Sequence, residues 1–331
     1  MNRKILVPLD GSELAEKALH YARVPAARIG AEVVLLHVCS PEECHSAADR
    51  CTVQPMHRVY TEHTAEMLRN ELREVAANTI AVECKVLVGD PASEIVRFAE
   101  EQGVTRIIMA SHGRSGVGRW IMGSVTDRVV RVSPVPVVII RASAEDSARS
   151  ESLDRQILVL LDGSAMSEQV LPYAMEHAEM SGRGTVLLTV CETHSLESSF
   201  IYHLSQWDYP INEPIRWEDY RDQETTRCKE KAKAYLEGIE KRFTESGLKV
   251  KSEILCGRPA DEIVDYLKDR RFNLIAMTTH GRSGLSRWAY GSVADRVLHA
   301  TDNPVLLVRS RNAAESSTGN ESKESVTEVQ R

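Results

Sequence analysis

Two stretches of this chain combine glycine, serine and arginine at a spacing that suits phosphate chemistry. Gly113 is followed after nine residues by Gly123-Ser124, and Gly281 after nine residues by Gly291-Ser292. Each Gly-Ser pair stands where a helix is expected to begin. Glycine lets backbone approach a ligand closely, and the first turn of a helix presents unpaired N–H groups at the positive end of its dipole. Ser124 and Ser292 can cap that helix or donate a hydroxyl to a phosphate. Arg114 and Arg119, with Arg282 and Arg287, bring cations for the outer phosphates. A single glycine pair would say little, because glycine turns before helices are common.

Asp10 and Asp162 each close a short apolar run in the string Asp-Gly-Ser. Helix N-capping is one role, and Glu13 completes a capping-box pattern with Asp10. The second copy carries Ala165 at the matching place, so a capping box does not explain both aspartates. The other role is to accept a hydrogen bond from an adenine amino group or a ribose hydroxyl. His112 and His280 sit beside the glycine loops, yet no Ser or Cys nucleophile with a supporting acid accompanies them. They read as loop-shaping or phosphate-touching groups, Trp120 and Trp288 as packing, and Asp127-Arg128 and Asp295-Arg296 as surface or inter-copy ion pairs. No catalytic residue is assigned.

The elements that position these residues come in duplicate. Leu6 to Ser12 returns as Leu158 to Ser164 at an offset of 152, and Gly89 to Val96 returns as Gly257 to Val264 at 168. His112 to Arg141 returns as His280 to Arg309, again at 168. About 16 extra residues therefore enter the second half between Thr193 and Glu218. The division is 1–142, a polar linker 143–153, 154–311, and a Ser/Glu/Asn-rich tail 312–331 expected to be disordered.

Within one copy, short apolar runs alternate with helical periodicity. Strands are expected at Lys4 to Leu9, Glu32 to Val38, Ala81 to Val88, Arg106 to Ala110 and Val135 to Ile140. Helices are expected at Ser12 to Arg28, Thr61 to Ala77 (apolar through Met67, Leu68, Leu72 and Val75), Pro91 to Gln102 and Ser124 to Arg131. Continuous apolar strands separated by helices indicate an α/β fold with a parallel sheet covered on both faces. The simplest solution is two doubly wound five-stranded parallel-sheet domains of strand order 3-2-1-4-5. The crevice then opens at the carboxyl ends of strands 1 and 4, where Asp10 and the Gly113–Ser124 loop both lie.

Composition narrows the remaining classes. A net charge of −7 over 331 residues disfavours a nucleic-acid binder and a polybasic membrane anchor. No apolar run approaches the 18 residues of a spanning helix, and Met1 to Val7 reads as a first strand rather than a signal peptide. Seven scattered cysteines fit a reducing cytoplasm. Cys39, Cys44, His45, Cys51 and His57 lie close in sequence but match no C-x-x-C spacing. They read as free thiols in a variable loop, with no metal. The aromatic insertion Phe200 to Tyr220 either covers a ligand, binds a partner or packs on its own domain.

The glycine loops, Asp-Gly-Ser turns and duplication together resemble the universal stress protein family in its tandem two-domain form, over almost all of residues 1–312. The family's pattern is Gly, two residues, Gly, nine residues, Gly-Ser/Thr. Both copies match its last three elements, while the first is Ala110 in one and the larger, β-branched Thr278 in the other. The resemblance implies an adenine nucleotide hydrolase-like fold that binds ATP or AMP, with Mg2+ as a possible companion. In the first copy it implies Pro8, Asp10, Val38, Met109 and Ala110 around the nucleoside, and Gly113, Arg114, Gly123, Ser124 and Val125 toward phosphate. In the second it implies Asp162, Val190, Met277 and Thr278, then Gly281, Arg282, Gly291, Ser292 and Val293. A related hydrolase superfamily carries Ser-Gly-Gly-x-Asp-Ser after strand 1, and Asp10-Gly11-Ser12 does not match it. The resemblance also implies pairing through the fifth strand, here Val135–Ile140 with Pro304–Val308 inside one chain, with a homodimer as a further option. The function expected is a nucleotide-binding stress regulator with an unidentified protein partner. A scaffold with vestigial sites and a slow ATPase are the alternatives.

Overall fold

A computed structural model describes residues 3–41, 47–75, 79–111, 122–141, 155–192, 217–280 and 290–310. The linker, the C-terminal tail and most of the aromatic insertion lie outside these residues.

The first copy contains β1 (Lys4–Leu9), α1 (Glu13–Ile29), β2 (Glu32–Cys39), α2 (Ala47–Val75), β3 (Val82–Val88), α3 (Pro91–Glu101), β4 (Arg106–Ser111), α4 (Ser124–Val132) and β5 (Val137–Arg141). The second contains β6 (Ile157–Leu160), a 3-10 turn (Ser167–Val170) leading into α5 (Leu171–Ser181), β7 (Thr185–Glu192), α6 (Trp217–Glu245), β8 (Val250–Gly257), α7 (Pro259–Lys268), β9 (Leu274–Thr278), α8 (Ser292–Ala300) and β10 (Val305–Val308). The strands form one ten-stranded sheet of order β3-β2-β1-β4-β5-β10-β9-β6-β7-β8. Each half therefore has the expected 3-2-1-4-5 order, all parallel inside.

The halves join edge to edge. β5 and β10 pair antiparallel, with Val137, Val138 and Ile139 opposite Leu307, Leu306 and Val305. This is the pairing that the resemblance implied. It hides two apolar edges that would otherwise template pairing with other chains. Helices from both halves cover each face. Residues such as Val7, Leu35, Leu68, Val159, Ala174 and Phe243 build one core, while Leu36, Ile107, Phe98, Leu188, Ile275 and Val297 build the other. Each such side chain, fully buried, contributes roughly 1.5–3 kcal/mol. Polar contacts also cross the junction: the Tyr21 hydroxyl donates to the Asn273 carbonyl at 2.7 Å, and Arg106 meets Glu176 at 2.8 Å.

Several expectations shift. α2 begins at Ala47 rather than Thr61, so His57 lies on a helix and not in a loop. Pro55 and a run of polar residues hide its first turns, although one proline costs a helix a single backbone bond and some local strain. Met67 is exposed, while Leu68 and Leu72 are buried as expected, together with Ala65. β5 starts at Val137 because the Ser133 hydroxyl bonds both the N–H and the carbonyl of Val135, holding that residue in a turn. Trp217 and Tyr220, assigned by the sequence reading to the insertion, belong to the first turn of α6.

Candidate functional site

The crevice forms where connections leave neighbouring strands on opposite faces, at the carboxyl ends of β1 and β4 and again of β6 and β9. In the second copy it is a cavity of about 520 Å³. It brings together Asp162 at the end of β6, Val190 on β7, Met277 and Thr278 on β9, and Gly291, Ser292 and Val293 at the start of α8. These are seven of the nine residues expected there; Gly281 and Arg282 lie outside the described residues. The volume falls within the range of about 300–1,000 Å³ usual for small-molecule sites.

The first copy repeats the framework. Pro8 and Met109 are buried on β1 and β4, Ala110 is half-buried, and Val38 packs on the same side of the sheet as Met109. Gly123, Ser124 and Val125 open α4, with Ser124 exposed. Gly113 and Arg114, together with His112, Trp120 and Trp288, lie outside the described residues.

The aspartates do not cap helices. Asp10 accepts from the Ser12 amide at 3.0 Å and its hydroxyl at 2.6 Å, and Ser12 caps α1 by accepting from the Ala15 amide at 3.1 Å. Asp162 holds Ser164 in the same way at 2.9 and 2.6 Å, and Ser164 accepts from Ser167. The intervening Gly11 and Gly163 have φ of 86° and 81°, a left-handed conformation that glycine adopts without strain. Each Asp is therefore a fixed carboxylate at the crevice lip. Capping by Ser124 and Ser292 is overturned as well: Gly123 and Gly291 are the N-caps, and among the described residues no side chain caps either helix. The first amides of α4 and α8 are thus presented to the crevice without a side-chain acceptor. Thr278, at the position of the family's first glycine, lines the cavity. Its hydroxyl donates to the His280 carbonyl at 2.8 Å, while Thr279 and His280 are in contact at 3.1 Å between Oγ1 and Nδ1.

Four charged rim residues were not in the expected set: Glu192 at the end of β7, and the trio Arg258, Asp261 and Arg296. In the first copy the matching positions are Asp90, Ser93 and Arg128. There Asp90 caps α3 through the Ser93 amide at 3.0 Å and takes Arg128 at 2.7 and 2.8 Å, and these bonds hold its carboxyl down to about 2. In the second copy the carboxylate has moved three residues on, to Asp261, which pairs with Arg296 at 2.5 Å. Arg258 takes the cap position of α7, with no side-chain cap. Comparing Gly89-Asp90-Pro91 with Gly257-Arg258-Pro259 would have exposed this charge reversal from sequence. Asp127 and Arg131 pair within α4 at 2.8 Å, and Arg131 lies over the Tyr290 ring at 4.5 Å. The ion pairs of the Asp127-Arg128 and Asp295-Arg296 dipeptides lie inside their own copies, while the Tyr290 hydroxyl donates across the junction to the Asp127 carbonyl at 3.3 Å.

A duplicated doubly wound fold with its crevice at the switch point, walled by an Asp-Gly-Ser turn and a Gly-Ser helix start, defines an α/β protein of tandem architecture. The model of the universal stress protein family matches this chain twice, over residues 1–141 and 155–309, and the chain belongs to that family. It is 26% identical over 318 residues to universal stress protein Rv2005c of Mycobacterium tuberculosis, covering 92% of this chain and 96% of that one. It is 34% identical over 156 residues to universal stress protein MJ0577 of Methanocaldococcus jannaschii, covering 43% of this chain and 96% of that one. A universal stress protein structure from Archaeoglobus fulgidus shares the fold at a TM-score of 0.63 and 21% identity, over 92% of this chain and 98% of that one. Among the described residues no helix is long and apolar enough to cross a membrane.

Proposed function

We propose that this chain is an adenine-nucleotide-binding regulatory protein of the stress response, without strong catalytic activity of its own, and that the second-copy crevice is its principal site. The observation that carries this reading is Arg258. An Arg at a helix cap forgoes a side-chain cap worth about 1 kcal/mol and sets a cation against the positive end of the helix dipole. An anion in the crevice, facing Arg258 and the uncapped amides of α8, offsets both costs. On this reading the phosphates of ATP or AMP, with or without Mg2+, lie at Gly291-Ser292. The base lies toward Val190 and Met277, and Asp162 receives the ribose or the adenine amino group.

The test is direct. Protein purified without added nucleotide is heat-treated, and the supernatant is run on anion exchange with mass detection, followed by calorimetry with ATP and AMP. The expected result is adenine nucleotide near one per chain, or saturable binding, with loss of the signal in Gly291→Trp. A chain that carries none and binds none leaves the crevice as inherited scaffold.

A further inference from the structure

On the face of the sheet opposite the crevice, three potential metal ligands converge. β2 alternates, so Val34, Leu36 and Val38 pack toward the α3 side while Val33, Leu35, His37 and Cys39 point toward α1 and α2. His37 and Cys39 are buried, and from α2 the half-buried His57 descends onto both. The Cys39 Sγ stands 3.1 Å from His57 Nδ1, and the His37 and His57 rings meet edge to face at 3.9 Å between centroids. One ligand atom from each of the three lies within 4.8 Å of the others. Ligand atoms around a tetrahedral zinc stand roughly 3.3–3.8 Å apart, so small side-chain rotations close the set.

The chain contains its own control. The place of His37 is taken in the second copy by Thr189, whose hydroxyl donates to the Leu161 carbonyl at 2.6 Å. The fold therefore closes at this point without an imidazole. Two imidazoles and a thiol are thus brought together under α2, the imidazole and thiol of β2 standing in a strand otherwise apolar on that face. Cys84, another thiol on this face, donates to the Thr61 carbonyl at 3.3 Å.

We propose that His37, Cys39 and His57 form a zinc site that fastens α2 to the end of β2, directly behind Val38. Two neutral imidazoles and one thiolate supply three of the four bonds, and solvent or an added ligand takes the fourth. The borderline-soft nitrogen and sulfur set selects Zn2+ over Mg2+ or Ca2+. Binding transfers the thiol proton of Cys39 to solvent, and no oxidation state changes. The spacing of Cys39 to His57 matches no C-x-x-C pattern and His37 stands outside that group, so free thiols in a loop were expected here.

Zinc content is measured by mass spectrometry on the full-length, untagged protein, and Co2+ is then titrated into the metal-free protein. The expected result is one ion per chain, a thiolate-to-cobalt charge-transfer band with the visible bands of a four-coordinate site, and displacement of both by Zn2+. His57→Ala, on the half-buried helix face, and Cys39→Ser each weaken binding by more than about tenfold, since loss of a ligand exceeds the loss typical of its supporting groups. Zn2+ raises the unfolding temperature of the wild type but not of His57→Ala. Among the described residues a second group of thiols, Cys191, Cys228 and Cys256, lies together in the second copy, so Cys228→Ser should leave the cobalt spectrum unchanged. A wild type without the charge-transfer band, or bands that survive His57→Ala and vanish in Cys228→Ser, overturns the proposal.

Discussion

Arg128 grips Asp90 with both terminal nitrogens, at 2.7 and 2.8 Å from the two carboxylate oxygens, whereas the position of Asp90 in the second copy belongs to Arg258. The first rim is thus a neutral pair. The second sets Arg258 and Arg296 beside Asp261, in a cavity that Asp162 and Glu192 also line. Arg258→Asp should lower nucleotide affinity by roughly ten- to a hundredfold, the worth of one charge-assisted hydrogen bond. It should also raise the unfolding temperature slightly by restoring a cap to α7. Calorimetry and thermal denaturation on the same sample read both changes. Unchanged affinity would separate Arg258 from the ligand.

Ser292 begins α8 without capping it, while Ser12 caps α1 through the Ala15 amide at 3.1 Å. Ser292→Ala should therefore leave unfolding free energy within about 0.5 kcal/mol of wild type and still weaken nucleotide binding severalfold. Ser12→Ala should cost about 1 kcal/mol. Urea unfolding of the two variants side by side distinguishes a cap from a ligand contact.

Arg106, buried at the start of β4, reaches Glu176 of the other copy at 2.8 Å, and Arg3 meets the same carboxylate at 2.9 Å. Burial pulls the Arg106 pKa down and the carboxylate opposes that pull. Removing one partner strands the other, so Glu176→Ala should destabilise the chain by roughly 3 kcal/mol. Replacing Arg106 and Glu176 together with apolar residues should recover much of that loss. A double-mutant cycle in urea gives the coupling directly.

His177 is buried on α5 with Nε2 bonded to the Asn273 side-chain oxygen at 2.8 Å, and burial pushes its pKa from 6.5 down to about 4. The unfolded chain therefore takes up a proton that the folded chain refuses. The sign follows: above pH 6.5 this group contributes no pH dependence, and stability falls as pH drops from 6.5 to 4. The slope is about 1.4 kcal/mol per pH unit, or about 3 kcal/mol in total. His177→Gln should lose that portion of the slope, which unfolding curves between pH 7 and pH 4.5 would reveal.

Much of this molecule is legible in one dimension because its signals are local. The apolar runs at Lys4–Leu9 and Glu32–Cys39, the helical period after Ser12 and the repeat itself depend on neighbours within one turn or one strand. The duplication determined the two-copy organisation and placed Asp162, Gly291 and Ser292 at one switch point before any coordinates. What the sequence did not determine arises from contacts between distant segments. Whether Asp10 or Ser12 caps α1 depends on hydrogen-bond geometry, not residue type. The early start of α2 is concealed by Pro55, because propensity penalises a proline that packing tolerates. The junction pairing of Val138 with Leu306, the exchange of Asp90 for Arg258 at the crevice rim, and the meeting of His37 with His57 each join residues far apart in the chain. Local patterns fix which elements form; which side chains meet is decided only when those elements pack, because the free energy of each contact depends on burial that no single segment can supply.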